Sequence, residues 1–205
     1  MYLPVVTWPS IRLLLTMSVL HKWHTRQIDY VQAYPQAPVE RPMYMEIPKG
    51  FKIAGGATGK DYLFQIHKNI YGQRQAGRVW NKYLVEKLIR IGFHQSQHDE
   101  CVFFKGRAMY VLYTDDSILA GPDPNDLDSI MEQIREVGLK ITSEGGIKDF
   151  LGINVEQQSD GSYTLTQTRL IDSILDDLGL NKSNVATKLT PTASSKILSR
   201  HPDSE

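Results

Sequence analysis

A chain of 205 residues with 41% hydrophobic content can bury a substantial core, as one large domain or one and a half small ones. Its single cysteine, Cys101, excludes an internal disulfide, and its most apolar stretch, Ile11–Leu20, contains Arg12 and is far too short to span a bilayer. A soluble, intracellular, cytoplasmic protein with no membrane partner and no signal peptide is the expectation. The net charge of zero argues against a uniformly basic nucleic-acid binder, but the charge is segregated. Residues 1–110 hold 15 Lys and Arg against 7 Asp and Glu, whereas residues 111–205 hold 8 against 16. Such asymmetry points to a polyanion docking on one side, and the acidic half offers a cation site for the same partner.

In chain order, Thr7 or Ser10 caps a predicted helix from Ile11 to about Trp23, with Pro9 tolerated near its start. Thr25–Tyr30 reads as a strand carrying Asp29 near its end. Pro35, Pro38 and Pro42 break the chain, and Met43–Ile47 is a short extended piece. Ile53–Lys60, with three glycines, is a loop, and Tyr62–His67 alternates as a strand. Gly72 precedes a predicted helix over 73–91, stopped by Gly92. Arg74, Arg78 and Lys82 form a basic stripe on it, while Trp80, Leu84 and Leu88 lie round the other side. An acidic amphipathic helix is expected over Asn125–Val137, closed by Gly138. Ile141 and Ile147–Val155 are expected strands, and a Ser159-Asp160-Gly161 turn leads into a strand over Tyr163–Thr166. Leu170–Leu178 is a final helix, and from Asn181 the composition reads as a loose tail. The mixture predicts an α+β fold, a mixed or antiparallel sheet covered by helices on one face.

The chemistry concentrates at Tyr113-Thr114-Asp115-Asp116, a turn between the apolar runs Met109–Leu112 and Ile118–Ala120. Alone, it reads as well as an Asp-rich turn in solvent. Two adjacent carboxylates at a hairpin tip repel, and a hard divalent cation relieves that repulsion. If the strand ending near Asp29 lies beside this hairpin, three carboxylates converge. That is enough for two divalent ions about 4 Å apart, the arrangement that clamps the oxygens of a phosphoryl transfer. His94, His98, Asp99 and Cys101 match no standard zinc spacing, and Asp123, Asn125, Asp126 and Asp128 read as a helix N-terminus.

Several motifs share an order. Gln27-Ile28-Asp29-Tyr30-Val31-Gln32-Ala33-Tyr34, followed by Met43–Phe51, resembles the first catalytic motif of copia-type retrotransposon reverse transcriptases. Asn69-Ile70-Tyr71-Gly72-Gln73-Arg74-Gln75-Ala76-Gly77-Arg78-Val79-Trp80 resembles their next signature. Gly92-Phe93 through Ser96, Asp99 and Cys101 follow the family order, and Tyr113–Asp116 is similar to its aromatic-x-Asp-Asp motif. Phe150-Leu151-Gly152-Ile153 resembles the hairpin that holds the primer end, and Tyr163–Gln167 the segment after it. Pro4-Val5-Val6 with Ser10–Leu15 is similar to the entry into the palm. Thr114 stands where valine is usual, Gln73 where an apolar residue is usual, Gly77 where proline is usual, and Pro35-Gln36-Ala37-Pro38 replaces a Leu-Asn-Gly turn. None of these departures removes a carboxylate.

The resemblance implies a palm with partial fingers and a partial thumb over residues 1–180, and a linker or tail over 181–205. It implies template-directed addition of deoxynucleotides to a primer 3′-OH, with two Mg²⁺ ions (or Mn²⁺) held by Asp29, Asp115 and Asp116. Ala33, Tyr34, Tyr71 and Gly72 would bind the nucleotide, with the Tyr34 ring excluding a ribose 2′-OH. Arg74, Arg78, Tyr113, Phe150, Leu151 and Gly152 would contact template and primer. The partners implied are an RNA or DNA template with its primer, and deoxynucleoside triphosphates. The setting implied is a Gag-Pol-type polyprotein serving transposition, with integrase upstream and RNase H downstream, in a cytoplasmic virus-like particle. The resemblance also implies that upstream fingers strands supplying triphosphate-gripping Lys and Arg lie outside this chain. The competing expectation is a truncated, non-catalytic remnant that at most binds nucleic acid. A nucleotide cyclase would need a Gly-Gly-rich turn before its acidic pair, which this sequence lacks.

Overall fold

Three neighbouring strands, two of them apolar on both faces, build the centre of the structure, a computed structural model that describes residues 4–51, 62–143 and 145–180. These strands are β1 (His24–Tyr30), β6 (Ala108–Tyr113) and β7 (Asp116–Gly121). A six-stranded sheet forms around them in the order β4-β5-β6-β7-β1-β8, with β4 at His94–Gln95, β5 at Val102–Lys105 and β8 at Ile141–Ser143. Its neighbouring strands pair antiparallel throughout. Tyr110, Leu112 and Leu119 point to one face and join Ile28 and Tyr30; Met109, Val111, Ile118 and Ala120 point to the other.

Both faces are covered. Helices α3 (Ala76–Arg90) and α4 (Pro124–Glu136) bury Val79, Trp80, Leu84, Leu88, Leu127, Ile130 and Ile134 against the first face. Helix α1 (Trp8–Leu20) buries Ile11, Leu14 and Leu15 against the second, with Ile147, Phe150 and Val155 beside them. The expectation of helices on a single face is therefore corrected. The continuous apolar run of β6 belongs to a strand buried on both sides, and one layer of helices leaves half of it exposed to water.

Other boundaries moved for local reasons. Helix α1 ends at Leu20 rather than Trp23, because Lys22 takes a positive φ of 51° and the Trp23 N–H folds back to the Ser18 carbonyl at 2.9 Å. Helix α3 begins at Ala76 rather than Gln73. The preceding residues form turns, with the Gln73 N–H on the Ile70 carbonyl and the Ala76 N–H on the Gln73 carbonyl. Arg74 therefore lies before the helix. Gly92 (φ 92°) does terminate it, the Phe93 N–H bonding the Leu88 carbonyl at 3.0 Å.

The prolines do not break the chain as expected. Pro35 sits within the short helix α2 (Ala33–Gln36), where a missing N–H in the first turn costs nothing. Strand β2 (Pro38–Glu46) runs through Pro38 and Pro42, pairing with β3 (Leu63–Lys68) and slipping register between Pro38 and Met43. The expected extended segment 147–155 is a hairpin of β9 (Asp149–Phe150) and β10 (Ile153–Gln157). Its turn, Leu151-Gly152, has positive φ at both residues, 53° and 76°. Strand β11 (Tyr163–Thr166) completes a three-stranded sheet in the order β11-β10-β9.

The chain divides into two units, one ending at Leu165 and the other beginning at Thr166. In the second, helix α5 (Thr168–Asp177) exposes Leu170, Ile171 and Ile174 along one side. The expected loop at 53–60 and tail from 181 lie outside the described residues. Among the described residues no helix is long and apolar enough to cross a membrane.

Candidate active site

Strand register carries Asp29 to its neighbours. On β1 it lies directly opposite Asp116, the first residue of β7, in an antiparallel pair. Asp115 occupies the second position of the two-residue turn between β6 and β7, with Tyr113 and Asp116 paired across its base. The Tyr30 N–H donates to the Asp115 carbonyl at 3.1 Å, joining the end of β1 to the turn. Three carboxylates that are distant in sequence thus collect at one end of the central strand pair.

Their electrostatics agree with this placement. Partial burial raises the Asp115 carboxyl above its ordinary range, and the charge of Asp29 raises it further. Asp116 is raised first by burial, then by Asp115 and Asp29. The described ion pairs, Arg26–Asp128, Arg78–Glu40 and Arg135–Glu132, involve none of the three. Among the described residues no three His, Cys, Asp or Glu side chains stand close enough to hold an ion as they are. The hard oxygen donors of the three carboxylates suit Mg²⁺ or Mn²⁺.

Beside them, the Tyr34 ring on α2 stacks on Tyr71 with centroids 4.6 Å apart at 30°. Burial and then the Asp115 charge raise both hydroxyls; the backbone of Ala33 and Tyr34 pulls Tyr71 partly back, against a further rise from Asp29. The expected nucleotide residues therefore share one corner with the carboxylates. Ala33 itself is fully buried, and Gly72 turns the chain at φ 90°.

The expected template and primer residues are more dispersed. Arg74 is exposed in the turn before α3. Arg78 forms an ion pair with Glu40 of β2, with a second contact of 3.3 Å from Nη1 to Oε1, so the basic stripe is neither continuous nor free. Tyr113 is half-buried against the second core, and Phe150 is buried there, which leaves Leu151 and Gly152 as the hairpin tip. That hairpin is fastened to β1 by Gln27. Its Nε2 donates to the Asp149 carbonyl at 2.7 Å, and its Oε1 accepts from the Lys148 N–H at 3.2 Å.

Sequence reasoning missed three supports. A buried hydroxyl chain runs beneath the acidic end: Tyr30 to Tyr110 at 2.7 Å, Tyr110 to Ser117 at 2.7 Å, Ser117 to the Ile28 carbonyl at 3.2 Å. From α3 the Trp80 indole N–H donates to the Thr114 carbonyl at 2.7 Å. Asp99 anchors the start of α1 by accepting from the Thr7 N–H, the Thr7 hydroxyl and the Ser10 hydroxyl. Thr7 occupies the N-cap position as expected, but its side chain makes no capping hydrogen bond to the helix; its N–H and hydroxyl are held by Asp99 instead. A polar residue at a buried strand position, as at Ser117, is the one signal available in the sequence. Cys101 is inert beside Asp99, its thiol pushed up to about 12 by burial and then by Asp99 and Glu100. Asp123 caps α4 by accepting from the Asn125 N–H at 2.8 Å.

Comparison with known proteins gives the class. The family described as reverse transcriptase (RNA-dependent DNA polymerase) matches residues 1–194. The retrovirus-related Pol polyprotein from transposon RE1 of Arabidopsis thaliana is 31% identical over 196 residues, covering 92% of this chain and 13% of the relative. That from transposon RE2 of the same plant is 30% identical over 202 residues, covering 97% of this chain and 13% of the relative. The transposon Ty1-BL Gag-Pol polyprotein of Saccharomyces cerevisiae is 24% identical over 156 residues, covering 73% of this chain and 8% of the relative. The chain belongs to the reverse transcriptase family, as a reverse transcriptase domain of the retrotransposon Pol polyprotein type typified by Ty1 and copia. It spans only about an eighth of the RE1 and RE2 polyproteins.

Proposed function

We propose that this domain adds deoxynucleotides to a primer 3′-OH on an RNA or DNA template, releasing pyrophosphate. The in-register pairing of Asp29 with Asp116, with Asp115 joined to the next residue of β1, is the observation that carries this reading. Asp29, Asp115 and Asp116 would hold two Mg²⁺ ions, or Mn²⁺ in their place, which supply activation of the 3′-hydroxyl and neutralisation of charge on the triphosphate. Tyr34, braced by Tyr71, presents a ring where one extra ribose oxygen clashes, which favours deoxynucleotides. Gly72 and Arg74 lie at the turn toward the template, and Leu151-Gly152 with Tyr113 backs the primer end. In this reading the six-stranded sheet is the palm, β2 and β3 belong to the fingers, and α5 begins the thumb. Residues 1–180 are then the polymerase body and 181–205 the passage onward. The setting is a cytoplasmic Gag-Pol-type particle with integrase upstream and RNase H downstream.

Primer extension on an RNA template with Mg²⁺, comparing the chain with Asp115→Asn, tests the reading. Extension by the chain and none by the variant is expected. An intact chain that binds primer–template but never extends it is the non-catalytic remnant instead.

A further inference from the structure

Trp80 is fully buried, and no part of the reaction proposed above uses it. Its Nε1–H donates to the Thr114 carbonyl at 2.7 Å. Thr114 is the first residue of the turn that carries Asp115, and it holds φ at 52°. A β-branched residue rarely adopts that conformation, and it persists only where the surroundings impose it. The Trp80 ring also meets Tyr30 edge-on, with centroids 5.2 Å apart. Tyr30 follows Asp29 and donates its own N–H to the Asp115 carbonyl. One side chain thus touches the backbone of the turn and the residue beside Asp29. Helix α3, anchored through buried Leu84 and Leu88, gives it a rigid base. Packing alone would accept any large ring here; the indole adds a donor at the ring position that meets the Thr114 carbonyl.

We propose that Trp80 is a positioning residue whose indole N–H holds the Thr114-Asp115 turn so that Asp115 and Asp116 face Asp29 in the geometry that takes up divalent cations. The inference rests on the two-metal reading for its consequence and on the turn geometry for its cause. It also gives a purpose to the tryptophan that ends this motif, whose indole reaches the acidic turn from behind.

The test replaces Trp80 with Phe and, independently, with 3-benzothienylalanine, which keeps the bicyclic shape and puts sulfur in place of the N–H. Three measurements are made: the exchange rate of the Tyr30 amide hydrogen, Mn²⁺ affinity by electron paramagnetic resonance, and steady-state primer extension for kcat and KM. In the benzothienyl protein the Tyr30 amide should exchange at least about fivefold faster, the change that loss of one ordinary hydrogen bond supports. The Leu112 amide, bonded to the Cys101 carbonyl, should not change. Mn²⁺ affinity should fall by a similar factor, and kcat should fall while KM for nucleotide holds. Unchanged Tyr30 exchange together with unchanged Mn²⁺ affinity overturns the inference, even if Trp80→Phe fails to fold. Asp115→Asn separates the two claims. If neither it nor the intact chain binds Mn²⁺, the two-metal reading fails by itself. The Tyr30 exchange rate then still decides Trp80's role, an unchanged rate overturning it and an accelerated one supporting it.

Discussion

Removing the Tyr110 hydroxyl tests the buried chain beneath the acidic end most directly. Each hydroxyl has a single hydrogen, so the directions follow from one another. Ser117 donates to the Ile28 carbonyl and Tyr110 donates to Ser117, which leaves Tyr30 as donor to Tyr110. Burial pushes the Tyr110 hydroxyl up to about 12 and also raises the Tyr30 hydroxyl well above its ordinary value, so both remain protonated at working pH. Tyr110→Phe strands the Tyr30 donor inside the core and is expected to cost about 2–3 kcal/mol, or about 5–10 °C in melting temperature. Tyr30→Phe removes one donor from an oxygen whose own hydrogen stays bonded, and should cost only about 1 kcal/mol. In the Tyr110→Phe background, Tyr30→Phe removes the stranded donor and should cost nothing or restore stability. A double-mutant cycle by urea denaturation, followed by circular dichroism, reads this coupling. Additive losses in the double variant would refute the directed chain.

Three further outcomes are expected. Asp99→Ala frees the start of α1 and should cost about 1–2 kcal/mol by chemical denaturation. Partial burial raises the Asp99 carboxyl, but hydrogen bonds from Ser10, Cys101 and Thr7 outweigh it and leave it below the ordinary value. Its stabilisation is then complete above the usual carboxylate range and lost as pH falls through the lowered value, so the variant should show a shallower acid limb. Asp116→Asn should abolish extension yet raise the melting temperature in metal-free buffer by about 1–3 °C, because it removes one of three repelling carboxylates. Mg²⁺ should stabilise the parent more than the variant, and a lower melting temperature for the variant contradicts the repulsion. Glu40→Gln breaks a solvent-screened surface ion pair and should leave the melting temperature essentially unchanged. It frees Arg78 for phosphate and should steepen the salt dependence of primer–template binding by about one counterion.

The amino-acid sequence by itself determined the strands that carry the acidic residues. The short apolar runs on either side of Thr114-Asp115 specify a hairpin, Gly92 and Gly138 specify helix ends, and ordered motifs specify the family. These signals lie within a few residues of one another, so local conformational preference and side-chain periodicity suffice to read them. The sequence could not decide which face of the sheet each helix covers, since a buried stripe reports burial and not its partner. Only the tertiary structure set Asp29 opposite Asp116, brought Asp99 to the start of α1, and aimed the Trp80 indole at the acidic turn. Those contacts join residues far apart in the chain. They follow from strand order and helix placement, which the whole core selects together by burying both faces of one sheet.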